Sequence, residues 1–149
     1  MGKAIQKFLV VDDSPLARQN IIGLVNEKFE NQGYIEAENG KLAVEAYENS
    51  VKTHNKSDID LIILDVNMPE MNGTEALEAI RNIEEKYKVV HPVKIIMVTT
   101  EDQKGFIISS FSLGIDAYII KPYTEEDFKK ALFTAYGESY EEYVNFNVS

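Results

Sequence analysis

Five short apolar runs recur along this chain, each followed by a stretch of helical or turn character, and that alternation restricts the fold more than any other feature. The runs are KFLVV (Lys7–Val11), YIEA (Tyr34–Ala37), DLIILD ending at Asp65, VKIIMVT over 93–99 and AYII (Ala117–Ile120). The first is apolar almost throughout, as in a strand covered on both faces. After it, Ser14 can cap a helix with Pro15 at its first position, and Ala17, Ile21, Leu24, Val25 and Phe29 follow at helical offsets. Gly33 in NQGY is expected to stop that helix in a left-handed conformation. Further helices are predicted around 42–47, after Asn72-Gly73, over 103–113 as far as Gly114, and after Thr124, where Asp127 completes a capping-box pattern. Strands alternating with helices give a parallel sheet covered on both faces, because right-handed crossovers are close to obligatory. The expectation is an α/β, doubly wound, five-stranded parallel sheet with five helices.

At 149 residues the chain is expected to form a single domain, with its core over about 7–136 and a C-terminal tail over 137–149. It has no cysteine, which excludes both a disulfide framework and a thiolate metal site. The apolar runs are too short to cross a bilayer, and MGKAIQKF lacks the apolar core of a signal peptide, so membrane insertion is not expected and a cytoplasmic location is. A net charge of −10 argues against nucleic-acid binding, which needs clustered Lys and Arg, and favours cations or basic partner surfaces.

In a doubly wound sheet, ligands bind beyond the carboxyl ends of the strands. Those ends carry Asp12 and Asp13 after the first strand, Asp65 after the third, Thr99 after the fourth and Lys121 after the fifth. Taken singly, each has an ordinary explanation. An Asp pair can be a turn and helix cap, Thr99 a β-former, Lys121 a solvated lysine, and DVNMPEMNG a loop with an Asn-Gly turn. Taken together they gather three carboxylates, a hydroxyl and an ammonium in one crevice. Adjacent carboxylates repel, and burial would raise their pKa values. Mg²⁺, which takes oxygen ligands, would remove that conflict. Lys121 and Thr99 could then meet a phosphoryl group accepted by Asp65.

This constellation resembles the receiver domain of response regulators, most closely the single-domain CheY type. The matching residues are Asp12-Asp13 after FLVV, Asp65 in LDVNMPEMNG, Thr99 in IMVTTE, and Lys121-Pro122 after AYII, and the resemblance runs from about 7 to 136. It implies a flavodoxin-like strand order, 2-1-3-4-5. It implies that Asp65 accepts a phosphoryl group from a phosphohistidine of a sensor histidine kinase or a histidine phosphotransfer protein. The same likeness implies Mg²⁺ held by Asp13, Asp65 and the Asn67 carbonyl, with Asp12 acting through water. Lys121 would pair with the phosphoryl group, Thr99 would swing toward it, and Tyr118 would move inward in concert. A cis Lys121-Pro122 peptide is also implied.

Several features depart from the compact members. Extra residues are expected in SVKTHNKSD (50–58) and around EEKYKVVHP, on the side away from the site, and they carry the two histidines, His54 and His91, as surface residues. Thr100 is bulkier than the small residue usual there and would narrow access to the site. Asn67 and Glu101 are the variable neighbours, and the resemblance pairs them with a short-lived acyl phosphate. The fourth helix holds Phe106, Ile107, Ile108, Phe111 and Leu113, too many for one buried stripe, so Phe106 or Phe111 is expected at the surface. Phe106, Phe111 and Tyr118 are the candidate partner face. The tail GESYEEYVNFNVS can prolong the last helix and fold back, bind a partner, or stay disordered. An output domain is not expected after it, so output is expected through a protein contact.

The leading reading is a phosphorylation switch in two-component signalling rather than an enzyme. A phosphorelay carrier that returns its phosphoryl to a histidine phosphotransfer protein is the alternative within the family. An unphosphorylated interaction module conflicts with the intact site. A Mg²⁺-dependent phosphohydrolase would need an acid/base aspartate where Asn67 stands.

Overall fold

The computed structural model describes residues 5–52, 57–68 and 71–143. Its order is β1 (Lys7–Val11), α1 (Pro15–Lys28), β2 (Tyr34–Ala37), α2 (Gly40–Val51), β3 (Ile59–Asp65), α3 (Gly73–Lys86), β4 (Lys94–Thr99), α4 (Lys104–Leu113), β5 (Ala117–Ile120) and α5 (Glu125–Tyr136). A 3₁₀ turn (Gly137–Ser139) and a short helix α6 (Tyr140–Tyr143) follow. The five strands form one sheet in the order β2-β1-β3-β4-β5, and every pairing is parallel.

Strand alternation divides the core between two faces. Phe8, Val10, Leu61, Ile63, Ile96 and Val98 pack with Ile21 and Val25 of α1 and Phe128 and Leu132 of α5. Leu9, Val11, Ile62, Leu64, Ile95 and Met97 pack with Tyr47 of α2 and Leu77 and Ile80 of α3 on the other side. β1 and β3 are buried on both faces, which is why their sequences read as continuous apolar runs.

The helix starts have explicit caps. The Ala17 N–H donates to the Ser14 hydroxyl at 3.2 Å with Pro15 in the first turn, and Thr124 with Asp127 forms a reciprocal capping box. Asn72 and Glu75 form a second such box at α3. Gly114 ends α4 at φ 107°, as expected.

The end of α1 differs from expectation. The helix stops at Lys28 with Phe29 extended, and Gly33, at φ 142°, lies in the turn before β2 rather than at the helix cap. The chain breaks from the helix early because Asn31 pairs with Ile5 in a parallel bridge, which swings Phe29 fully into the core. Phe29 there meets Tyr136, Tyr140 and Tyr143, with ring centroids 5.1, 6.0 and 5.8 Å away. The tail therefore folds back as far as Tyr143. Val144 and Phe146 lie outside the described residues.

α4 packs only lightly. Ser110 is its one buried residue, Ile108 and Phe111 are 56% and 45% exposed, and Phe106 lies half-buried against Tyr118. His91 is exposed, and His54 falls outside the described residues.

A buried polar cluster with little trace in the sequence lies at the amino ends of the strands. The Glu84 carboxylate, 7% exposed, accepts from the Tyr47 hydroxyl (2.9 Å), the Val93 N–H (2.7 Å) and the Arg81 guanidinium (2.6 Å). Arg81 also donates to the carbonyls of Gly114 and Val93 and to Asp116. Replacing Glu84 by Ala leaves the buried Tyr47 phenol and Val93 amide without this partner and removes one of several from the half-buried Arg81 guanidinium. The expected loss is about 3 kcal/mol, read as a Tm lower by roughly 10 °C in circular-dichroism melts.

Candidate functional site

Two strand ends bring the acidic residues together. Asp12 follows β1 and is 2% exposed, Asp65 closes β3 at 3%, and Asp13 beside Asp12 is exposed. One carboxylate oxygen from each lies within 4.8 Å of the others. The backbone positions them. The Asp12 N–H donates to the Ala37 carbonyl (3.1 Å), and its own carbonyl accepts from the Arg18 guanidinium (2.7 Å). Asp12 Oδ1 then accepts the Ser14 N–H (2.9 Å).

The loop after Asp65 is held by close backbone approach. The Gly73 N–H donates to the Val66 carbonyl at 2.9 Å, and a Cβ at Gly73 would stand 2.5 Å from the Asp65 carbonyl oxygen. Gly40 donates to the Met71 carbonyl at 3.1 Å from the other side. Only glycine lets α3 and α2 begin so near this loop.

Lys121, after β5, reaches into the acidic cluster. Its Nζ lies 3.0 Å from Asp65 Oδ1 and 3.8 Å from Asp12 Oδ2. The Lys121 N–H donates to the Thr99 carbonyl at 2.7 Å, and the Lys121-Pro122 peptide is cis. Thr99 is fully buried and accepts the Glu101 N–H on its hydroxyl (3.0 Å). Tyr118 donates its hydroxyl to the Glu101 carbonyl, and its ring meets Phe106 edge-on at 6.3 Å. Asn67 and Thr100 are both exposed and span the mouth through Asn67 Nδ2 donating to Thr100 Oγ1 at 3.3 Å. Phe111 stands apart from the crevice, lining a cavity of about 610 Å³ beside β5.

The charges are in conflict. Burial is the largest influence on Asp12 and raises its carboxyl above the ordinary range, and Asp13 adds to the rise. Burial likewise raises Asp65, against the opposing pull of the Lys121 hydrogen bond. For Lys121, burial favours the neutral amine, but the hydrogen bond to Asp65 and the charges of Asp65 and Asp12 outweigh it and hold the ammonium protonated to higher pH. Burial and the Glu101 charge push Tyr118 up to about 12, so it stays a neutral donor.

One lysine does not satisfy this cluster. Asp12 Oδ2 is buried without a hydrogen-bond partner. An orphaned buried carboxylate oxygen among hard oxygen donors suits a divalent cation such as Mg²⁺ and offers nothing to a soft metal. All five strand-end residues expected from sequence thus meet in one place, with Asn67, Thr100 and Glu101 at its mouth and Tyr118 at its side. Arg18 and Gly73 were not anticipated. Arg18 could have been suspected from its place one turn after the Ser14 cap, on the side facing the strand end.

The sign of the pH dependence follows from the raised carboxyls. The fold holds protons on Asp12 and Asp65 to higher pH than the unfolded chain does, so the metal-free protein loses stability as pH rises from the ordinary carboxylate range through the raised values. Lys121 has the same sign at higher pH: its contribution is fully present at neutral pH and is lost as pH climbs from the ordinary lysine range past its raised folded value. Asp12→Asn is therefore expected to raise the Tm in EDTA at neutral pH by a few degrees, the size about 1 kcal/mol produces in a domain this long. It should also flatten the pH dependence of the melt.

Residues 8–133 match the response regulator receiver domain family. A CheY homologue of the chemotaxis system in Campylobacter jejuni is 40% identical over 126 residues, covering 85% of this chain and 88% of its own length. The crystallised chemotaxis protein CheY4 of Vibrio cholerae is 31% identical, with a TM-score of 0.65 over 87% of this chain and 97% of its own. The CheX–CheY complex of Borrelia burgdorferi with BeF₃⁻ and Mg²⁺ shares the fold at a TM-score of 0.72 and 20% identity, over 89% and 90% of the two chains.

Proposed function

The chain belongs to the response regulator receiver domain family, a family of signalling proteins rather than catalysts, and on that premise we propose that it is a phosphorylation switch with Asp65 as the phosphoacceptor. The observation that carries this reading is the pairing of Asp65 with Lys121 at 3.0 Å beside the orphaned Asp12 oxygen. Asp65 is the carboxylate of the cluster to which Lys121 donates a hydrogen bond, through Nζ to Oδ1.

The donor is a phosphohistidine of a sensor histidine kinase or phosphotransfer protein. An Asp65 oxygen forms the bond to phosphorus as the phosphorus–nitrogen bond breaks, and the departing imidazole keeps the electron pair and takes up a proton. Asp12, Asp13, Asp65 and the Asn67 carbonyl would hold Mg²⁺, with Asp12 contributing through water. Bound there, the ion supplies positive charge for the oxygens of the transferring group. Lys121 lies where its ammonium can follow the phosphoryl oxygens, and leaving Asp65 for them would relax the contact that now anchors it. Thr99 stands ready to donate once its hydroxyl is drawn from the loop.

Output runs through α4, β5 and α5. Tyr118 links the crevice to the half-buried Phe106, and Phe111 and Ile108 lie exposed on the same helix. The chain works as one receiver domain, beside a kinase in the cytoplasm. No helix of the described residues is long and apolar enough to cross a membrane.

Incubation with Mg²⁺ and acetyl phosphate, followed by intact mass, is expected to add one phosphoryl group to the parent protein and none to Asp65→Ala. Decay within minutes after donor removal supports a switch, whereas an adduct lasting hours favours a relay carrier. No adduct from either acetyl phosphate or a phosphorylated kinase would overturn the assignment of Asp65.

A further inference from the structure

Arg18 is the one guanidinium bonded to the main chain beside the acidic cluster, and its anchoring is specific. Nη1 donates to the Asp12 carbonyl at 2.7 Å while Nε donates to Glu36 Oε1 at 2.9 Å. Glu36 belongs to β2, where it stands opposite Val10 of β1, two residues before Asp12. The guanidinium is largely covered, with its side chain 14% exposed, and that of Glu36 is 34% exposed. A bidentate fork is thus spread between one carboxylate and one carbonyl, and neither bond goes to a carboxylate of Asp12, Asp13 or Asp65.

This arrangement is not what charge alone would select. Asp12 Oδ2 is buried and unpartnered, and it belongs to the residue whose carbonyl Arg18 already holds. Freed from Glu36, an arginine bonded to the main chain of Asp12 would have the carboxylates of the acidic cluster as its alternative ion-pair partners. It would relieve their repulsion and occupy the place a cation needs. We propose that Glu36 is a positioning residue for the cation site: by holding the Arg18 guanidinium on the Asp12 carbonyl, it keeps arginine off the acidic cluster and leaves that cluster open to Mg²⁺. The inference rests on the cation reading given above and adds a control that acts from strand β2.

The arrangement has a signature that structural damage does not share. Releasing Arg18 gives the carboxylates a new partner, so the metal-free fold keeps or gains stability while affinity for the metal falls. The remaining field of Glu36 on the site is weak, because its side chain is partly solvated and screened.

Calorimetric titration of Mg²⁺ into the full chain, with melts in EDTA, tests this on four proteins: the parent, Glu36→Gln, Arg18→Gln and the double variant. Expected is a Kd raised roughly threefold to tenfold in Glu36→Gln, with a metal-free Tm equal to or above the parent's. In the Arg18→Gln background the same Glu36 change is expected to shift Kd by less than about twofold, since no competitor is left to release. An unchanged Kd in Glu36→Gln with normal binding by the parent overturns the inference and leaves the cation reading intact. So does an equal loss in both backgrounds, or a loss accompanied by a lower metal-free Tm. Absence of Mg²⁺ binding by the parent overturns both.

Discussion

The repulsion between buried carboxylates governs this molecule. Asp12 and Asp65 sit at the ends of the adjacent strands β1 and β3, each nearly sealed from water, and burial works against charge on both. A sheet of this kind could close its carboxyl edge with apolar residues and be more stable for it. Instead it brings one ammonium 3.0 Å from Asp65 and leaves an Asp12 oxygen unsatisfied. The deficit defines what the cluster could hold: a hard cation able to meet the unsatisfied oxygen. The same residues whose charges burial opposes are the ones that could bind it.

Holding such a cluster in place takes rigidity elsewhere. Around Asp65 it comes from glycine, since Gly73 and Gly40 let two helix starts press against the loop with direct backbone bonds. At the other end of the sheet it comes from Arg81 and Glu84, which tie α3 to the start of β4 and to the turn after α4. Between these anchored zones, α4 is the loosest of the long helices, with a single buried residue and several apolar side chains in solvent. A helix with so little buried surface is the part of the fold that can shift or bind a partner at small cost.

Much of this was legible in the sequence because it depends on local periodicity and on strand ends. Runs such as LIIL mark strands buried on both faces, and in a parallel sheet the residue after each run must fall on one edge, so Asp12, Asp65, Thr99 and Lys121 could be placed together before any coordinates. The helix starts at Ser14 and Thr124 were readable from capping chemistry. What escaped is long-range pairing. The early end of α1 depends on Asn31 meeting Ile5, and Glu84 reads as one more charge on an exposed helix face until Tyr47, Val93 and Arg81 converge on it. The link from Arg18 to Glu36 spans two elements and leaves no periodic trace. The apolar crowding of α4 requires one of Phe106 and Phe111 at the surface without saying which, and the roll of the helix decides for Phe111.

The aromatic cluster around Phe29 bears on where this protein's folding unit ends. The region shared with its family stops at residue 133, yet Tyr136, Tyr140 and Tyr143 lie beyond it and close over a phenylalanine that has no exposed surface. Trimming the chain to the length of the shared region would open a greasy hole beside α1 rather than remove an ornament. Alignment and packing thus draw different borders for the same polypeptide, and the border that matters for handling it in solution is the one drawn by packing.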